Sequence, residues 1–341
     1  MPNSQKETNI AHVVYATDDK FAEILGVSLV SLFENSMDME EIVVYILESG
    51  ISDKNKKRMY EVCENYNRHR PIFIQAKNIS KELKMDVNID RGSFSQYARL
   101  FISSDLPEYI ERVLYMDCDI IVNKSIKELW NLDMDGCTIA ALKDAFSKEY
   151  RRNIDLEKND VMFNSGVMLI DLKKWKMANV EGKLLKFIEK KGGKIQQGDQ
   201  GALNSVLSKS TYCFEPRFNS VTIFYDFAYE EMLTYRKPVS FYTKKEVELA
   251  VEQPNIIHYT TSIFSKRPWI KGCNHRYANR WLEYKEKSPW RNEPLWEDNS
   301  SLWKKNLMKI VNKLPRKIAI LIAGIMQAYV RPLINTIKYR R

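Results

Sequence analysis

Two carboxylates one residue apart, Asp117 and Asp119, sit inside a very apolar stretch, Val113 to Val122 (VLYMDCDIIV). Side chains alternate along a strand, so both acids would leave one face, about 6.5–7 Å apart at the backbone, with Cys118 on the other. Carboxylates placed this way repel each other and lose hydration unless a positive charge lies between them. A divalent cation answers both problems, and oxygen donors suit magnesium or manganese. Such an ion can hold a diphosphate and offset the charge that grows on it as it leaves. Asp-x-Asp pairs also occur in solvated loops that do no chemistry, but the apolar flanks weigh against that reading. A second chemistry fits the pair as well: a phosphatase pattern, DxDx[TV], with Asp117 as nucleophile and Asp119 as acid–base. There Ile121 replaces the Thr or Val, and the pattern normally follows the first strand of its domain.

The chain has 4 histidines, His12, His69, His258 and His275. His258 follows an apolar run, Ile256-Ile257, and is a candidate third ligand that would shift preference toward manganese. A purely structural histidine explains the same position.

The elements that must carry these residues alternate in type. Ile10 to Thr17 reads as a buried strand that stops at Asp18-Asp19, and Phe21 to Asn35 as a helix with Phe21, Leu25, Leu29 and Leu32 on one stripe. Ile42 to Leu47 is a second strand, Ser52 an N-cap for a helix from Asp53 to Tyr66, and Pro71 to Ala76 a third strand. This alternation predicts an α/β domain with a mainly parallel sheet covered by helices, binding its ligand beyond the strand ends where Asp18-Asp19 falls. Later segments predict a helix over Ser95–Ser103, a strand over Val113–Val122 and a short helix over Ile126–Trp130. Strands follow at Thr138–Leu142 (ending at Asp144), Gly166–Leu172 and Ile256–Tyr259, with helices over 184–190 and 202–207.

The 341 residues, 44% of them apolar, suffice for one large α/β domain with an appendage or for two domains. Met1 to Asn9 is polar, which predicts no signal peptide. The 5 cysteines, Cys63, Cys118, Cys137, Cys213 and Cys273, are scattered and fit reduced thiols in a cytoplasmic protein. The net charge of +9 is localised: no acid follows Asp298, while 10 of the 53 basic residues do, leaving 43 bases against 44 acids before it. A near-neutral body gives no electrostatic support for nucleic-acid binding. In the tail, Ile318 to Val330 is uncharged over 13 residues, short of the ~20 that span a bilayer. Lys305, Lys309 and Lys313 recur at i, i+4, with Leu307, Ile310, Val311 and Leu314 on other faces. An amphipathic, acid-free segment suits the surface of an anionic membrane, and a helix packed on the body is the alternative. The expected division is a catalytic domain over 10–285 and a basic tail over 290–341, with Pro289 to Pro294 between them.

Several short motifs occur in order: Ala16-Thr17-Asp18-Asp19, Tyr97-Ala98-Arg99-Leu100, Met116-Asp117-Cys118-Asp119, Phe163-Asn164-Ser165-Gly166, Gly198-Asp199-Gln200, Pro216-Arg217-Phe218-Asn219, His258-Tyr259 and Arg267-Pro268-Trp269. Together, over roughly residues 10–280, they resemble glycosyltransferase family 8, which holds retaining bacterial lipooligosaccharide galactosyltransferases and, more distantly, glycogenin. The resemblance implies a GT-A fold, a Rossmann-like nucleotide-diphospho-sugar domain, and a UDP-sugar donor, UDP-galactose or UDP-glucose. It implies manganese, with magnesium the alternative, held by Asp117, Asp119 and His258. It further implies that Asp18 contacts the uracil and Phe21 stacks on it, with Ala16, Asp19 and Cys118 also in the donor site. Arg99, Asp144, Asn164, Asp199 and Gln200 would surround the donor sugar, and Asp144, Asp199 and Gln200 are the catalytic candidates.

Each has a structural reading too: Arg99 pairing with a structural carboxylate, Asn164 capping a turn, Asp199 capping a helix near Gly201. Gln200 stands where a nucleophile would be sought, but an amide is a poor one, so attack on the leaving group's own face is expected. After His258 the chain departs from the family pattern: the loop is longer, lacks a glycine, and puts Arg267 where a lysine stands before Pro-Trp. Either Lys266 or Arg267 would then meet the diphosphate. The expected product is a surface glycan such as lipopolysaccharide or capsule, or a glycosylated protein, made at the inner face of a cell membrane. A phosphatase and a non-catalytic sugar-binding scaffold remain the alternatives.

Overall fold

The computed structural model describes residues 9–89, 94–300 and 314–338. Among the described residues ten strands run β1 (Ile10–Thr17), β2 (Glu41–Glu48), β3 (Ile72–Gln75), β4 (Arg112–Met116), β5 (Ile120–Val122), β6 (Ile139–Lys143), β7 (Phe163–Asp171), β8 (Thr211–Cys213), β9 (Ser220–Val221) and β10 (Ile256–His258). Seven of them form one sheet in the order β3-β2-β1-β4-β7-β6-β8, and β5-β10-β9 form a small second sheet. β1, β2, β3 and β4 are mutually parallel, β6 and β8 are parallel, and β7 runs antiparallel to both its neighbours. The large sheet is buried on both faces: Val13 and Tyr15 pack into one core, Val14 and Tyr45 into the other. That is why these strands read as continuous apolar runs.

Helix α1 (Ala22–Asn35) is buried almost all round, and α2 (Asp53–Asn65) is capped by the Ser52 hydroxyl as the sequence predicts. Two expectations are corrected. Val113–Val122 is not one strand but two, β4 and β5, broken at Asp117-Cys118-Asp119. The Asp117 N–H bonds Gly166 O at 2.7 Å in the large sheet, whereas Asp119 O accepts from Tyr259 N–H at 2.9 Å beside the small one. The chain changes sheets at the carboxylates, so they converge through a bend and not through strand pleating. Ser95–Ser103 is a 3₁₀ helix, Phe94–Phe101, followed by a short α-helix, Ile102–Asp105. At three residues per turn, Gln96 and Arg99 come onto the same side.

The segment 288–298, where the sequence places the boundary of the body, packs back onto it. Trp290 is 2% exposed and fills the space that Gly26 leaves on α1, while the Lys285 ammonium bonds Trp290 O and Glu23. Trp296 N–H bonds Trp269 O at 2.7 Å, and its ring meets Phe21 edge-on at 5.7 Å. Lys304, Lys305, Lys309 and Lys313, with Leu307, Ile310 and Val311, lie outside the described residues. Truncating so buried a ring should cost about 3–5 kcal/mol. Trp290→Ala is therefore expected to lower the urea midpoint sharply, and an unchanged midpoint would show that this segment is not part of the domain.

Candidate active site

A cleft of about 280 Å³ opens beyond the ends of β1 and β4, lined by Ala16, Thr17, Asp18, Phe21, Ser95, Gln96, Arg99, Asp117, Cys118, Asp119, Thr261 and Arg267. Antiparallel pairing of β10 with β5 sets His258 opposite Ile120, one residue from Asp119. One ligand atom from each of Asp117, Asp119 and His258 lies within 4.8 Å of the others, and all three residues are buried. His258 Nε2 is 3.2 Å from Asp119 and 3.8 Å from Asp117.

The tautomer of His258 follows from its neighbours. Gly166 N–H donates to Asn164 Oδ1 at 3.0 Å, so that atom is an acceptor. Asn219 Nδ2 donates to the same oxygen at 3.0 Å, which turns Asn219 Oδ1 toward His258 Nδ1 at 2.9 Å. Nδ1 must then carry a proton, and Nε2 faces the two carboxylates. Two carboxylates and an imidazole oriented in this way are a donor set that fits manganese or magnesium. Gly166 makes the ring's position possible, because a Cβ there would overlap the imidazole.

Arg99 closes the other side. Its guanidinium, 4% exposed, reaches Asp117 at 2.7 Å, Asp199 at 3.1 Å and Ser165 O at 2.8 Å. It lies 4.3 Å over the Tyr115 ring, whose hydroxyl donates to Asp117 at 3.1 Å. Burial opposes the charge of Arg99, yet the carboxylates of Asp117 and Asp199 raise its pKa above the ordinary arginine value. Asp119 pairs with Arg267 at 3.2 Å, and Arg267 also bonds Tyr259 O and the Thr261 hydroxyl. Lys266 instead pairs with Asp298 at 3.0 Å, so of the two cations left open by the sequence only Arg267 lines the cleft. Cys118 donates its thiol to Ala16 O, and burial pushes its pKa up, so it is an inert wall residue.

Deeper in, Asp144 follows β6 and faces Asn164 at 3.5 Å and Gln200 at 3.4 Å. Burial raises its pKa against the opposing effects of Arg236, the Ala145 N–H and the two amides. Gln200 Oε1 faces Ser165 N–H at 3.4 Å. Asp199 lies inside the first turn of the helix Gly198–Leu207, so its carboxylate pairs with Arg99 and does not cap that helix. At the opposite end Asp18 accepts from Phe21 N–H at 3.2 Å beside the Phe21 ring. Asp19 is turned to Ser52 N–H and Asn55, both at 2.8 Å, and holds the start of α2; it does not line the cleft.

The sequence reading thus assembles around one cleft and the buried polar cluster behind it, except for Asp19 and Lys266. It gave no site role to Asn219 or Gly166, which stand in its motifs, nor to Tyr115, Gln96 or Thr261. Asn219 ends the Pro216–Asn219 run, Tyr115 precedes Asp117 by one strand period, and Gln96 precedes Arg99 by one 3₁₀ turn. Nothing in the sequence singles out Thr261. Removing a group that orients a ligating histidine typically costs 10–100-fold in metal affinity. Asn219→Ala and Gly166→Ala should each weaken manganese binding in titration calorimetry by that order, and unchanged affinity in both would dismiss the orienting chain.

Residues 12–272 match the model of glycosyl transferase family 8. The chain is 28% identical to general stress protein A of Bacillus subtilis, over 84% of this chain and 96% of that one. It is 27% identical to the lipopolysaccharide 1,2-glucosyltransferase of Escherichia coli, over 83% and 79%. The crystal structure of the galactosyltransferase LgtC with donor and acceptor sugar analogues superposes with a TM-score of 0.65 at 26% identity, covering 82% of this chain and 96% of that one. The mainly parallel, helix-covered sheet is the GT-A fold, and with the family match spanning most of its length, this chain belongs to glycosyl transferase family 8.

Proposed function

We propose that this protein transfers a hexose, galactose or glucose, from a UDP-sugar to a glycan or lipid-linked glycoconjugate acceptor, with retention of anomeric configuration. The observation that carries the proposal is the convergence of His258 Nε2 with Asp117 and Asp119 beside the recess of Asp18 and Phe21. The lipopolysaccharide glucosyltransferase and the sugar-bound galactosyltransferase among its relatives support the reading. The 5 unpaired thiols fit a reducing cytoplasm, and the basic tail fits the inner face of a membrane.

In this reading Asp117, Asp119 and His258 hold manganese, or magnesium, which when bound offsets charge on the departing UDP. Phe21 offers a face for the base to stack on, and Asp18 an acceptor for its imide. Arg267 presents a planar fork to the diphosphate from the side of Asp119. Asp144, Asn164, Asp199 and Gln200 supply mixed donors and acceptors for sugar hydroxyls, where an unmatched partner is costly. Gln200 Oε1 already faces Ser165, and an amide is a weak nucleophile, so the acceptor hydroxyl attacks on the face that UDP leaves. The phosphatase reading is disfavoured because one Asp117 oxygen takes both Arg99 and Tyr115, a poor state for an attacking carboxylate.

UDP release with manganese over a panel of UDP-sugars tests the proposal. Release from one donor, lost in Asp117→Asn with Asp119→Asn, is the expected result. Failure of the wild type to bind any uridine nucleotide would refute it, and inorganic phosphate release would restore the phosphatase.

Gln96 gives a second check. It is 6% exposed, lines the cleft, and has neither amide atom hydrogen-bonded among the described residues. A buried amide without partners destabilises the unliganded protein, and its apolar replacement is neutral or stabilising. Gln96→Met should therefore keep or raise the melting temperature while weakening UDP binding about tenfold, roughly 1.4 kcal/mol. Equal UDP affinity would assign Gln96 no part in the donor site.

A further inference from the structure

The loop that leaves His258 is gripped by the element beside it. β9 runs parallel to β10, with Val221 opposite His258. Where β10 passes into the loop, β9 passes into a short helix, Thr222–Asp226. The first and last residues of that helix, at i and i+4, share one face. Thr222 holds the start of the loop: its N–H donates to the Thr260 hydroxyl and its own hydroxyl to His258 O, both at 3.3 Å. Asp226 holds the middle. One of its carboxylate oxygens accepts from the Ser262 hydroxyl and the other from the Ser265 hydroxyl at 2.7 Å. Ser262 in turn takes Phe264 N–H at 3.0 Å, and the Phe264 ring meets Phe227 edge-on at 4.9 Å.

Asp226 is half-buried and pairs with no cation among the described residues; both oxygens are given to the loop. Hydrogen bonds to an ionised acceptor are roughly twice as strong as neutral ones, so the loop is held firmly there. The backbone of Asp226 is fixed as well: Arg316 donates to Asp226 O at 3.0 Å and pairs with Glu231 at 2.7 Å. Arg316 opens the C-terminal helix Arg316–Lys338, which widens into a π-turn over Met326–Val330 and is seated there by Ser147 and Tyr150. Past Phe264 the loop has other ties. Asn274 bonds Phe264 O and Lys266 N–H, and Lys266 pairs with Asp298. The stretch beside Thr261 is the one that depends on Asp226.

Thr261 and Arg267 are the residues of this loop that line the cleft. The Arg267 fork is aimed by the loop itself, through Tyr259 O at 3.1 Å and the Thr261 hydroxyl at 2.8 Å. We infer that Asp226 is a positioning residue for the donor: through Ser262 and Ser265 it keeps Thr261 in place, and Thr261 keeps the Arg267 fork turned into the cleft. The chain has no glycine between His258 and Trp269, so side-chain ties set the shape of this loop where a glycine turn would otherwise do so. The effect on the donor rests on the transferase reading, in which Arg267 meets the diphosphate. The hold on the loop does not.

Two measurements on the full chain test this. Trypsin cuts after lysine and arginine but not before proline, so the bond after Lys266 reports on the loop. Cleavage there, followed by mass spectrometry, should be about tenfold faster in Asp226→Ala than in the wild type. Ser262→Ala with Ser265→Ala removes the same bonds from the loop's side, leaves the helix intact, and should match it. Equal rates in all three proteins would overturn the hold. With saturating manganese, titration with UDP should show about tenfold weaker binding in Asp226→Ala and in the serine variant. Uridine, which has no diphosphate, should bind all three alike, and Asp226→Asn, whose amide oxygen still accepts, should lose less. In an Arg267→Ala background the loss of Asp226 should cost nothing further. Full additivity with Arg267→Ala, or an equal loss for uridine, would make Asp226 merely structural, and unchanged UDP affinity would end the positioning role. A wild type that binds no UDP, yet is protected at Lys266 by Asp226, would sink the transferase reading and leave the hold standing.

Discussion

Two carboxylates held side by side out of water are the constraint around which this molecule is arranged. Asp117 and Asp119 are 7% and 8% exposed, and neither position is tolerable without opposite charge. The protein supplies Arg99 to the first and Arg267 to the second, and leaves the space between them to His258. Local architecture follows from that need. The strand that carries the acids breaks between them, its continuation joins a separate small sheet, and that sheet's central strand, β10, ends at His258. Gly166 and a packed 3₁₀ turn then admit the imidazole and the guanidinium.

The same constraint couples the two ends of the site. From Asp119 a line of polar contacts runs through His258, Asn219 and Asn164 to Asp144, and each member fixes the donor and acceptor roles of the next. Buried networks of this kind are costly when incomplete and rigid when satisfied. A change at the histidine therefore reaches the residues around Asp144, although β10, which carries His258, and β6, which Asp144 follows, belong to different sheets. The network also explains why two of its members are asparagines: each donates with one amide atom and accepts with the other, which neither a carboxylate nor an ammonium can do.

Much of this was legible in the sequence, for reasons that also mark its limits. The apolar runs of β1, β2 and β7 are readable because strands buried on both faces have no polar alternation to confuse them. The acid pair was visible because carboxylates inside such a run are expensive. The strand break was not, because residue type carries no record of which sheet a segment joins after it. Asp19 and Lys266 look as suitable as Asp18 and Arg267 in one dimension; only the positions of Ser52 and Asp298 decide which of each pair faces the cleft. Asn219 reaches the site from a 3₁₀ turn and Thr261 from a loop, and periodicity describes the path of neither.

The C-terminal helix shows how one segment can carry two faces of different character. Thirteen uncharged residues flanked by bases pointed either to a lipid surface or to a helix packed on the body. The packed reading holds for the face of Ala319, Gly324 and Ala328, whose small side chains allow close approach and whose widened turn gives carbonyls to Ser147 and Tyr150. The face of Leu321, Ile325 and Leu333 is left exposed. A helix apolar on all sides would be buried in a core or would leave the protein for the membrane interior. Here the small, hydrogen-bonded side is seated on the body within three residues of Asp144, and the large aliphatic side is exposed.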